Sequence, residues 1–282
     1  MEIDKKTPPI KVEDIFAAAC KLPYCKIERD VFLTSQLKGK ISDQQLCDAL
    51  ENGTINAGIS VELLDHIALG AVNMETTKAV ALSTVAGIPG GFAMIGTIPA
   101  DLTQFYAHVF RIAQKLAYIY GYKEIDLDDV TQNVLMIFLG VMFGVNAATA
   151  ALAKLAAANA AKIGTKVAAK PLSKYAIYNI VKRVLAWVGV KLTKDGVGKA
   201  VSKAVPIIGG VVSGGLTVAT FLPMAKKLQK ELSRFASMTP ENLSKANNNA
   251  DIILADFEMI ECCIATQSEV SKSIQGENYN EI

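Results

Sequence analysis

Histidine is nearly absent from this chain, with only His66 and His108 among 282 residues, and tryptophan occurs once. No HExxH, paired CxxC or DxDxDG pattern occurs, so neither a zinc nor an EF-hand site is expected, and no metal is assigned. Five cysteines, Cys20, Cys25, Cys47, Cys262 and Cys263, form no CxxC. An odd count with one vicinal pair is a poor disulfide framework, and reduced thiols are expected. "VVSGG" around Ser213 is not GxSxG, and Gly87 to Gly96 spells neither GxGxxG nor a P-loop. The chain therefore carries no hydrolase, nucleotide or cofactor signature, and a non-enzymatic role is favoured. Val/Ile/Thr-rich alternation between tight hairpin turns is missing, which argues against a sheet. "MEIDKKTPP" is followed by no apolar leader core, and the N-terminus is expected to stay in the cytosol.

What is abundant is apolar helix. Hydrophobic residues make up 51% and charged residues 20%. The mean hydropathy of +0.30 is high for a soluble protein and low for a multispanning transporter. Lys11 to Leu22, "ERDVFLTSQL" and "SDQQLCDALENG" read as short helices, the third opened by Ser42 as N-cap and closed near Gly53. A longer helix starts at the N-cap Ser60 and places Leu63, Ile67, Ala71 and Met74 on one face. Thr239 and Pro240 open a last helix, with order expected to fade over Ser268 to Ile282. The expected class is all-α: a multi-helix bundle with Gly/Pro-broken apolar hairpins. Residues 1–78 form an N-terminal module, 79–237 an apolar core, and 238–282 an acidic helix and tail.

Three uncharged runs, Ala79 to Ala100, Val130 to Ala153 and Ala204 to Ala225, have 22, 24 and 22 residues. Each is long enough to span a hydrocarbon layer of about 30 Å, which takes about 20 residues of helix. Only the second reads as a plain spanning helix. The first is broken by Pro89, Gly90, Gly91 and Pro99, and the third by Pro206, Gly209, Gly210, Gly214, Gly215 and Pro223. The pairs Gly87/Gly91, Gly140/Gly144 and Gly210/Gly214 recur at four-residue spacing and predict close helix packing, in a membrane or in a water-soluble core.

Charge is segregated along the chain. Lys154 to Lys203 holds eleven Lys or Arg against the single Asp195, a local +10, while Glu241 to Ile282 carries a local −6. Lys154, Lys162, Lys166, Lys170 and Lys174 share a helix face, and Lys182 and Arg183 extend the basic segment. An anionic leaflet suits such a segment, with Tyr178 and Trp187 as interfacial anchors. A solvated face or an acidic partner, the chain's own tail included, is the alternative. No nucleic-acid motif accompanies the charge, and no nucleic acid is expected.

Asp101, Gln104, His108 and Arg111 form a polar stripe at steps of three, four and three. Such a stripe can act as a relay, a helix-docking pair or a head-group site, while Asp101 also suits the start of its helix.

"AGIPGGFAMIGTIPADLTQFYAHVFRIAQKLAYIYGY" resembles the signature region of EcsC family proteins: a glycine-rich apolar stretch, an Asp-Leu-Pro-like step, then a helix ending in a Tyr-Gly-Tyr/Trp-like turn. Thr103 replaces the proline of that step. "AVPIIGGVVSGGLTVATFLPMAKKL" is similar to the family's later Val-Pro-Ile/Leu-Gly-Gly segment, and "IERDVFLTSQL" to an Arg-x-x-Phe-Leu entry. The resemblance covers roughly Ile27 to Leu232 and implies a bacterial, membrane-associated helical protein, with no catalytic residues to carry over. The leading expectation is a non-enzymatic protein at the cytoplasmic face of the membrane or in the cytoplasm. It binds anionic lipid or a membrane partner, and a protein partner or second copy stays open. The alternatives are a helical carrier of an apolar ligand and an enzyme using Asp101 and His108.

Overall fold

A computed structural model describes residues 11–86, 100–127, 134–161, 172, 174–193 and 214–277. Ten helices are found among them: α1 (Val12–Cys20), α2 (Arg29–Leu37), α3 (Asp43–Asn52), α4 (Val61–Ala86), α5 (Ala100–Ile119), α6 (Val134–Phe143), α7 (Asn146–Ala161), α8 (Lys174–Thr193), α9 (Gly214–Ala236) and α10 (Pro240–Glu277). The fold is the expected all-α bundle.

Local chemistry sets several helix boundaries. The Gln45 amide donates to Ser42 Oγ (3.2 Å), Leu63 to Ser60 Oγ (3.3 Å) and Asn242 to Thr239 Oγ1 (3.4 Å), so all three expected N-caps are in place. Gly53, at φ 96°, ends α3 in a conformation costly for any residue with a Cβ.

α5 is the centre of the bundle, and α4 runs antiparallel to both α5 and α9. Asp65, near its start, accepts from the Tyr120 hydroxyl beyond the end of α5 (2.5 Å) and from Ser233 Oγ late in α9 (2.9 Å). At the opposite end, the rings of Phe105 and Phe221 meet edge to face, 6.4 Å apart. The end of α4 and the starts of α5 and α9 therefore lie together. α1 packs on α5 through Phe16 against Tyr106 and Phe110. α10 lies antiparallel along α7, and one contiguous buried cluster runs from Val12 to Leu254, drawing on all three segments of the chain.

Five expectations are corrected. Val130 to Ala153 is not one spanning helix: α6 stops at Phe143, Gly144 turns the chain at φ 85°, and α7 begins at Asn146. Gly140 and Gly144 therefore do not share a helix face. Gly140 packs against α7 and α8, where a Cβ would come within 2.5 Å of Ala148 Cβ, and Gly144 is a C-terminal stop. Pro223 does not break α9. It lies with Ala219 on the exposed side, where solvent can reach the carbonyl that the imide nitrogen cannot serve. Helix also continues past Gln267 to Glu277, and Met74 is exposed rather than on the inner face of α4. Among the described residues no helix is long and apolar enough to cross a membrane.

Candidate functional site

The inner stripe of α4 runs Leu64, Ala68, Ala71 at helical steps and then, at the next position, places Glu75 with no exposure at all. A bare carboxylate there would carry a large desolvation cost, so partners are obligatory. α5 supplies three from one face. His108 Nδ1 lies 2.7 Å from Glu75 Oε1, Arg111 Nε donates to the same oxygen at 2.8 Å, and the Lys115 ammonium donates to Oε2. The Arg111 guanidinium also donates to the Tyr24 carbonyl and sits 5.8 Å from the Tyr24 ring centroid. Lys115 lies 5.9 Å from the Phe32 ring centroid.

Burial by itself pushes the Glu75 pKa up. The hydrogen bond from His108 and the charges of Lys115 and Arg111 outweigh it, holding the carboxyl at about 2. Lys115 shifts in the sense set by burial: the Glu75 carboxylate, shared with Arg111, does not offset its desolvation and the repulsion from Arg111 and Lys78, and its pKa is lowered.

The carboxylate only accepts, so the His108 proton is assigned to Nδ1. Nε2 is buried with no hydrogen-bond partner. A carboxylate holding one imidazole nitrogen and leaving the other free is the arrangement acid-base sites use. Here, however, the side chain is only 4% exposed, and neither of the clefts described below is lined by it.

The same face of α5 fixes the N-terminal segment. Gln114 Nε2 donates to the Cys25 and Phe110 carbonyls (both 3.0 Å), and its Oε1 accepts from the Ile27 amide (3.1 Å). The Cys25 thiol accepts a hydrogen bond from Cys20, which, with Arg111 nearby, lowers its pKa despite burial, while that of Cys20 is raised.

A second polar node ties α2, α3 and the turn after α5. Arg29 donates to the carbonyls of Leu50 (2.8 Å), Ala49 (3.1 Å) and Tyr122 (3.1 Å). Thr54 Oγ1 donates to the Ile119 carbonyl at 2.7 Å, and Gly53 and Gly121 cross so closely that a Cβ on Gly53 would lie 2.7 Å from the Gly121 oxygen. Beside this crossing is an open polar cleft of about 560 Å³. Three of its four acids have partners: Asp30 pairs with Arg29, Asp48 with Asn52 and Glu124 with Lys26. A second groove, about 460 Å³, runs between α7, α9 and α10.

Of the sequence-derived stripe, His108 and Arg111 meet at Glu75. Gln104 is half-buried, and the Asp101 side chain lies outside the described residues. His108 is thus oriented by Glu75, a residue the spacing along α5 does not point to. Its only sequence signal is a lone charge at a core position of α4. Of the basic row, Lys154 is buried and ion-paired with Asp251 of α10. Lys182 is exposed, and Arg183 stacks over Phe257 at 5.5 Å. Lys162, Lys166 and Lys170, the side chains of Lys174 and Trp187, and Gly87, Gly91 and Gly210 lie outside the described residues. Gly214 is the first residue of α9, and Tyr178 is exposed. Among the described residues no cluster of three or more metal-ligating side chains occurs. Comparison with protein-family models, curated proteins and solved structures finds no match.

Proposed function

We propose that this chain is a non-enzymatic helical protein of EcsC type that associates with the cytoplasmic face of an anionic membrane. The observation that carries the reading is topological. The end of α4, the start of α5 and the start of α9 lie at one end of the bundle. The uncharged runs Ala79 to Ala100 and Ala204 to Ala225 both include those helix ends. The described ends of two apolar runs separated by more than a hundred residues thereby share one end of the bundle, which favours a bilayer contact there. The basic stretch Lys154 to Lys203 supplies attraction to anionic head groups. The Glu75 cluster acts in this reading as the bolt that holds α4 and α5 in register while the end of the bundle meets lipid.

Flotation of the full-length protein with phosphatidylcholine vesicles, with and without phosphatidylserine, tests it. Binding is expected to require the anionic lipid at low salt and to weaken as salt rises. A charge in either run, Phe92→Asp or Ile207→Asp, is expected to weaken binding about a hundredfold. A wild-type protein left in the supernatant with every vesicle, or variants that bind like the wild type, would refute the proposal.

A further inference from the structure

The acidic C-terminal helix lies on the basic part of the chain. Lys154 of α7, buried to 4% of its side chain, gives its ammonium to Asp251, and Arg183 of α8 stacks 5.5 Å over Phe257. Both basic groups come from the Lys154 to Lys203 stretch and both partners from the acidic one. The inner face of α10 is the row Leu243, Asn247, Ala250, Leu254 and Phe257, at steps of four, three, four and three. Opposite it, α7 offers mainly alanine: Ala150 and Ala153 share a groove with Ala246 and Ala250. A methyl group buries little apolar area, so each alanine contact along this seam contributes less than the Phe, Tyr, Ile and Leu contacts of the α4/α5/α9 centre. Asn247, buried in the middle of the row, weakens it further. α10 packs chiefly on α7 and can leave it without breaking the α4/α5/α9 centre.

We infer that α10 is a latch: docked, it occupies Lys154 and Arg183; released, it frees both, beside the exposed Lys182, for an anionic membrane. The inference rests on the membrane reading above and adds its regulation. The closed latch reduces apparent affinity by the fraction of molecules in which α10 is undocked, so weakening the seam strengthens lipid binding.

Hydrogen exchange of the full-length protein with and without phosphatidylserine-containing vesicles reads the latch directly. Amides of α10 from Leu243 to Phe257 are expected to lose protection on vesicle binding, while those of α5 from Tyr106 to Ile119 keep theirs. Leu254→Ala leaves the charge unchanged and is expected to bind such vesicles at least tenfold more tightly than the wild type, with no gain on phosphatidylcholine alone. Its α5 protection in solution reports that the bundle is folded. Wild-type protein that floats with α10 as protected as in solution, or Leu254→Ala that binds no more tightly, overturns the latch and leaves the membrane reading standing. Failure of the wild type to float with any vesicle overturns both readings.

Discussion

Replacing Glu75 by Gln keeps the side-chain shape and removes the one negative charge among three buried donors. Lys115, Arg111 and His108 have side-chain exposures of 6%, 13% and 4%, so water reaches none of them freely. The amide's NH₂ group would face groups that only donate. Removing one partner of a buried ionic set costs about 3–5 kcal/mol, and that loss is expected at neutral pH. The pH dependence gives a second, independent reading. The Glu75 carboxyl titrates at about 2 in the fold, against 4.5 ordinarily. Its contribution, about 3 kcal/mol from that difference, is complete above pH 4.5 and disappears as pH falls through about 2. The gap between wild type and Glu75→Gln should therefore close over that acid window. In the variant, Lys115 has lost its counter-charge while its burial still lowers its pKa. Its penalty is full below the folded pKa and vanishes above the ordinary value of 10.5, so the variant should gain stability as pH rises through the alkaline range. Urea unfolding followed by circular dichroism from pH 2 to 11 measures all three effects. A gap below about 1 kcal/mol that does not change with pH would refute the ion-cluster argument.

Gly140→Ala should destabilise the protein by about 1–3 kcal/mol although alanine is the better helix former, because the new methyl meets Ala148 Cβ at 2.5 Å and Val184 at 3.2 Å. A rise in thermal midpoint would show that α6 has room to move. Arg29→Lys keeps the charge but cannot serve three carbonyls from one planar fork. A loss of about 1–3 kcal/mol in urea unfolding is expected, and an unchanged midpoint would show that the guanidinium geometry is dispensable.

What the sequence made legible was local. Ser42, Ser60 and Thr239 announce their helices because a cap needs only a side-chain oxygen and an amide three residues on. His108 and Arg111 could be placed on one face of α5 because helical spacing fixes it. Their meeting point could not, since Glu75 joins them only through the register of α4 against α5, which no pattern along one helix contains. Gly144 misled for a related reason. Inside a run without polar residues, a stop glycine and a packing glycine look alike, and only the φ of 85° separates them. Lys154 belongs by spacing to a lysine row, yet the α10 helix turns it into a buried ion pair.

The hold of α5 on the N-terminal segment sets an order of events during synthesis. Ile27 and Cys25 wait for Gln114, 87 and 89 residues later, and Arg29 waits for Tyr122, 93 residues later. At roughly 5–20 residues per second, the ribosome needs about 5–20 s to supply those partners. Through that interval α1 and α2 have emerged but cannot be anchored, so Phe16, Leu33 and Leu37, all buried in the finished protein, stay open to other contacts. Nascent chains that end before residue 114 should therefore engage hydrophobic-binding chaperones, and lengthening them past Tyr122 by enough to clear the exit tunnel should end that engagement.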